Sequence, residues 1–141
     1  MEVALYVADD IQNLASGKLL MVGVYADRRI IMSVPKGAVM NSENKAGVPM
    51  LCVLVSVIGV DAGEHKCRAE MYYPDGSPLS QPQETTVMVA PPHRALNFIQ
   101  RFTPFTFWEE GGYAVHITVD GQEFVNKFDI AFQEIENPVA H

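Results

Sequence analysis

Period-2 alternation of apolar and polar residues recurs along the whole chain, and nowhere does a long window carry a 3.6-residue apolar stripe. The pattern predicts an all-β protein. The first strand reads as Glu2–Ala8, with Val3, Leu5 and Val7 on one face, and the paired acids Asp9 and Asp10 suit a turn that ends it. Ile11–Gly17 follows as a loop or one helical turn. Two strands, Lys18–Tyr25 and Arg28–Val34, are then expected to form a hairpin across Ala26-Asp27-Arg28.

Met50–Ile58 is apolar on both faces, so it should be a central strand. Lys66–Tyr73 alternates Cys67, Ala69, Met71 and Tyr73 against polar positions, which gives it one wet side. Glu84–Ala90 is a further strand stopped by Pro91-Pro92, and Ala95–Thr103 reads as a strand, with a short helix as the alternative. Asp120-Gly121 is the residue pair that a two-residue type I′ hairpin turn requires. Pairing across it sets Val119 opposite Gln122, Ile117 opposite Phe124 and Tyr113 opposite Phe128. Asn126 then falls opposite Val115 on the apolar face, where its amide needs a partner unless a bulge breaks the register.

Eight or nine short strands with turn signals between them specify an antiparallel immunoglobulin-like β-sandwich of 7–9 strands, with an eight-stranded barrel or a jelly roll as the alternative. One domain over residues 1–134 is expected, with 135–141 a frayed tail. The 141 residues can bury a core without staples, and Cys52 and Cys67, in apolar strand patterns, read as small hydrophobes rather than a disulfide. A formal net charge of −7 disfavours nucleic acid and anionic membrane surfaces as partners. Met50–Val60 is too short for a membrane span, and the acidic start does not fit a secretory signal, so the cytosol is expected.

Val7-Ala8-Asp9-Asp10, Gly17-Lys18-Leu19 and Val22-Gly23-Val24-Tyr25 at one end, with Gly112-Tyr113, Val119-Asp120-Gly121 and Phe128-Asp129-Ile130 at the other, resemble a family of small bacterial and phage proteins of unknown function. The resemblance implies a β-sandwich with no assigned activity. It covers the two ends of the chain and leaves the middle unmatched.

No catalytic motif stands out. Gly-x-Ser-x-Gly is absent, Ser56 lies within an apolar strand, and Gly17-Lys18 lacks the rest of a phosphate loop. Asp9 and Asp10 could bind calcium with Asp27, Asp61, Asp75 or Asp120 from other loops, or serve a metal-dependent enzyme with His116. Turn capping by the acids and a solvated surface histidine are the plainer readings, and no metal or other cofactor is expected. Pro35–Pro49, rich in Pro, Gly and Asn, should be a long exposed loop and the first place to look for a binding surface, with Met40, Asn44 and Lys45 as candidate contacts. Phe107 and Trp108 are adjacent, so an extended chain turns one of them away from the core. Trp108, beside Glu109 and Glu110, is the candidate exposed anchor, with Phe107 beside it.

The reading is a non-enzymatic protein-binding or assembly module, self-associating or docking on another protein, with a carbohydrate- or metal-binding protein as the rival. A phage structural or accessory role is a further alternative of the same physical kind.

Overall fold

The computed structural model describes residues 1–15, 18–79 and 83–136. It is built of strands, without an α-helix among these residues: β1 (Glu2–Asn13), β2 (Leu19–Val24), β3 (Arg29–Pro35), β4 (Ala46–Val48), β5 (Leu51–Ile58), β6 (Gly63–Tyr72), β7 (Gln83–Val89), β8 (Ala95–Phe102), β9 (Phe105–Phe107), β10 (Gly111–Val119) and β11 (Gln122–Ile135). A four-stranded sheet in the order β2-β1-β5-β8 packs on a five-stranded sheet in the order β3-β11-β10-β6-β7, and β4 pairs with β9 as a small third sheet. The fold is the expected β-sandwich. All the pairings are antiparallel except β3 with β11, which run parallel.

The core forms where the two inner faces meet. Leu5, Val7, Val53 and Val55 from one sheet meet Ala69, Val115, Ile117 and Phe128 from the other in one buried cluster. β5 is apolar on both faces for a visible reason: Cys52 and Leu54 point to the outer side and join Ala8 and Ile11 in a second, smaller cluster, flanked by Leu19, Met50 and Ile99. The thiols of Cys52 and Cys67 are both buried and free.

The Asp120-Gly121 turn has φ of 49° and 84°, and the register across it runs as expected from Val119↔Gln122 through Val115↔Asn126 to Tyr113↔Phe128. The Asn126 amide keeps that register because Arg28 Nη1 donates to its Oδ1 at 3.2 Å.

Three expectations are corrected. β1 does not stop at Asp9-Asp10 but continues to Asn13, so part of the expected loop Ile11–Gly17 is strand and Ile11 is fully buried. The turn is not needed because Gly23, at φ 66°, leaves the space on β2 that the Asp9 carboxylate fills. β2 and β3 are not a hairpin: β2 pairs with β1, and the turn at Ala26–Arg28 carries the chain across to β11 in the other sheet. Pro35–Pro49 is not wholly a loop, since Ala46–Val48 pairs with Phe105–Phe107. At the carboxy end β11 runs to Ile135, which pairs with Pro35, and most of the expected tail, residues 137–141, lies outside the described part.

Candidate functional site

A sandwich of two open sheets has four outer edges, and an edge strand offers unpaired backbone donors and acceptors to any strand that meets it. Three of these edges carry residues that discourage pairing. β3 begins with Arg29 and ends in Pro35, β7 contains Glu84, and β8 contains Arg101. β2, with the sequence LLMVGV, has no charge and no proline. Its side chains are also unusually bare: Leu20 is 44%, Val22 49% and Val24 46% exposed. Its only strand neighbour among the described residues is β1. Natural sheets rarely leave such an edge unguarded unless something covers it, so β2 is the leading candidate surface.

The residues singled out from sequence separate into two groups. Met40, Asn44 and Lys45 do come together, with Met32, Val34 and Ala46, around a cleft of about 320 Å³ between β3 and the segment before β4. That segment is pinned by a tight turn in which Asn41 Oδ1 accepts from the backbone N–H of Glu43 and Asn44, at 2.8 and 2.9 Å. Phe107 is not at a surface; it is fully buried and stacks on Phe132 at 6.0 Å. Trp108 lies just past the end of β9, half-buried against Tyr73 at 4.8 Å, with Lys45 Nζ over its ring at 5.2 Å. A ring sandwiched this way is not a free anchor.

Asp9 and Asp10 line a second cleft with Tyr25 and Met50. The Tyr25 hydroxyl donates to Asp9 Oδ1 at 2.6 Å, and burial, then this carboxylate, push that hydroxyl up to about 12. Asp10 accepts from Gln12 Nε2 at 2.9 Å. Neither Asp is joined by the other loop acids, and no set of three or more His, Cys, Asp or Glu groups able to hold a metal occurs among the described residues. His116 lies on the outer face of the other sheet, where its Nδ1 meets Glu123 Oε1 at 2.9 Å and its ring packs edge-on against Tyr72. The grouping of Asp9, Asp10 and His116 does not form.

One polar pair was not visible in the sequence because its members are 55 positions apart. His65 is buried, with Nδ1 2.5 Å from Asp120 Oδ2 and Nε2 2.6 Å from the Asp61 carbonyl. Both ring nitrogens face acceptors, so the imidazolium is the form that satisfies both. Asp120 Oδ1 also accepts from the Lys66 N–H at 2.9 Å, and the pair ties the β5–β6 turn to the β10–β11 hairpin. The Asp120 hydrogen bond, then that to Asp61, raise the His65 pKa, and the His65 hydrogen bond holds Asp120 below the usual carboxylate range.

The raised His65 value contributes stability that is complete below about pH 6.5 and disappears as pH rises through the folded-state pKa; the lowered Asp120 value contributes above about pH 4 and disappears below it. Thermal melts from pH 4 to 9 should therefore show Tm falling on the alkaline side. His65→Gln should flatten that fall, and an unchanged alkaline slope in the variant would show that the pair does not set it.

With the fold and its edges established, comparison adds the lineage. The model of a family of unknown function (DUF6941) matches residues 3–130. The chain belongs to this family. Membership carries no activity with it. No match is found among curated proteins. Among solved structures, a β-glucosidase from Listeria innocua in complex with glucose is similar at 9% identity and a TM-score of 0.38, covering 95% of this chain and 16% of that one. The same enzyme in complex with isofagomine gives 9% and 0.37 over the same shares. The chain thus spans about a sixth of the length of these enzymes, and the TM-scores are too low to bear on function. No helix among the described residues is long and apolar enough to cross a membrane.

Proposed function

We propose that this DUF6941 protein is a non-enzymatic protein-binding or assembly module that recognises its partner by strand addition at β2. The observation that carries the reading is the uncharged, proline-free LLMVGV edge with its exposed side chains. Strand addition obtains affinity from main-chain hydrogen bonds and specificity from alternate side chains, so it needs no deep pocket. The two clefts are shallow alternatives, and the cleft beside Lys45 favours the rival reading of a small-ligand protein more than the acidic pair does. Two free buried thiols suit a reducing compartment, and the module is proposed to work in the cytosol.

A photo-crosslinking residue placed at Val22 in cells tests the reading. Covalent protein adducts are expected from position 22. They are not expected from Val125, which is as exposed but lies on β11, away from this edge.

A further inference from the structure

We infer that the His65–Asp120 pair is a proton-operated latch: on losing a proton, His65 lets go of the turn between β5 and β6 and keeps hold of the β10–β11 hairpin. His65 is the only acidic or basic residue that is buried among those described. Its Nδ1 lies 2.5 Å from Asp120 Oδ2 and its Nε2 2.6 Å from the Asp61 carbonyl oxygen, so both nitrogens must donate to keep both contacts. A neutral imidazole carries one N–H, and deprotonation therefore costs one of the two bonds. The latch sits at the end of the sandwich away from β2, since β5 ends with Ile58 opposite Glu2 whereas β2 pairs with Ala8–Asn13. It works independently of any strand added there.

Charge decides which bond breaks. Nδ1 faces a carboxylate and Nε2 a neutral carbonyl, and the hydrogen bond to the ionised acceptor is the stronger. The proton therefore leaves from Nε2. Two acceptors then face each other at 2.6 Å with no hydrogen between them, and the Asp61 carbonyl is driven off. The hairpin side is held without His65 as well: the Asp120 N–H donates to the Lys66 carbonyl and Asp120 Oδ1 accepts from the Lys66 N–H, both at 2.9 Å. The turn's other ties run to Arg94, whose carbonyl accepts from the Gly59 and Val60 N–H at 2.8 and 3.1 Å and whose Nη2 lies 3.6 Å from Asp61 Oδ1. Gly59 and Gly63, at φ 87° and 122°, bracket the turn and give its backbone room to rotate at both ends.

Few other groups compete for the proton. On β6, Glu64 and Lys66 alternate to the opposite face from His65, and the residue paired with His65 on β7 is Val87. Cys67, next on the same face of β6, stays a neutral thiol near neutral pH, because burial, then Asp120, push it above its ordinary value. The Asp61 carboxylate is 92% exposed beside Arg94, where solvent screens the pair. The group that changes charge is thus His65, held up first by Asp120 and then by the Asp61 carbonyl.

Nitrogen NMR and amide hydrogen exchange on the full chain, titrated from about pH 6 to pH 9, test the latch. The His65 ring signals should show Nε2 losing its proton while Nδ1 keeps its own. Across the same midpoint, the protection of the Gly59 and Val60 N–H groups should fall roughly tenfold or more, whereas that of Lys66 and Asp120 should hold. Asp120→Asn should lower the His65 midpoint by about one pH unit or more, because the charge that favours the imidazolium is gone. His65→Gln should leave the protection of the turn independent of pH, since an amide does not titrate. Loss of the Nδ1 proton first, a turn whose protection does not follow the ring, or equal loosening at Lys66 and Asp120 would each overturn the latch on the wild type alone, whether or not the variants fold.

Discussion

Phe105→Ala should cost about 3–5 kcal/mol while leaving a cooperative unfolding transition to measure. Phe105 is buried where β9 meets both sheets, with its ring centroid 5.8 Å from Phe102, 5.5 Å from Phe107, 6.4 Å from Tyr113 and 6.3 Å from Phe128. Four aromatic neighbours cannot all close on the void that an alanine leaves, so most of the cavity would persist. Domains of this size hold about 5–15 kcal/mol in total, which makes this loss a large share. Urea denaturation measures it: the midpoint should fall sharply at an unchanged slope, and a shift equivalent to less than about 1 kcal/mol would mean that the cluster is not the keystone between the sheets.

Leu54→Ala should cost about 2–5 kcal/mol even though Leu54 points to the outer side of its sheet. It is buried there with Ala8, Ile11 and Cys52, and Ile99 packs alongside. Ile58, near the other end of β5 and also pointing outward, is 55% exposed, so Ile58→Ala should change stability by no more than about 0.5 kcal/mol. The same unfolding experiment compares the two. Equal losses would show that the outer cluster contributes no more than ordinary surface. The contrast also bears on recognition, because Leu19 of β2 packs on this cluster and the candidate edge is thereby held on a rigid support.

What could be read from sequence was what is decided locally. The Asp120-Gly121 turn sets its own backbone conformation, and a period of two then propagates the register down β10 and β11 as far as Asn126. The double apolar face of Met50–Ile58 likewise announced a central strand. Connections between sheets were not legible in this way. Lys18–Tyr25 and Arg28–Val34 are close in sequence, but β2 is held by β1 and β3 by β11, choices made by packing over long separations.

The candidate site shows the same division. Adjacency singled out Trp108 as the more exposed of the pair, but the cover over Trp108 comes from Tyr73 and Lys45, far away in the chain. The acids Asp9 and Asp10 looked like a turn because the room made for Asp9 lies at Gly23 on another strand. β2 was overlooked as a surface even though its signal was present. A six-residue strand pattern without a charge or proline is unremarkable inside a sheet, and only its place at an edge makes it a candidate surface.

The central claim is that β2 is where this protein meets its partner, and site-specific photo-crosslinking from Val22 in intact cells tests it most directly. The account predicts discrete protein adducts from position 22, and none from Val125. Equal labelling from both positions, or no protein adduct from position 22, would contradict it.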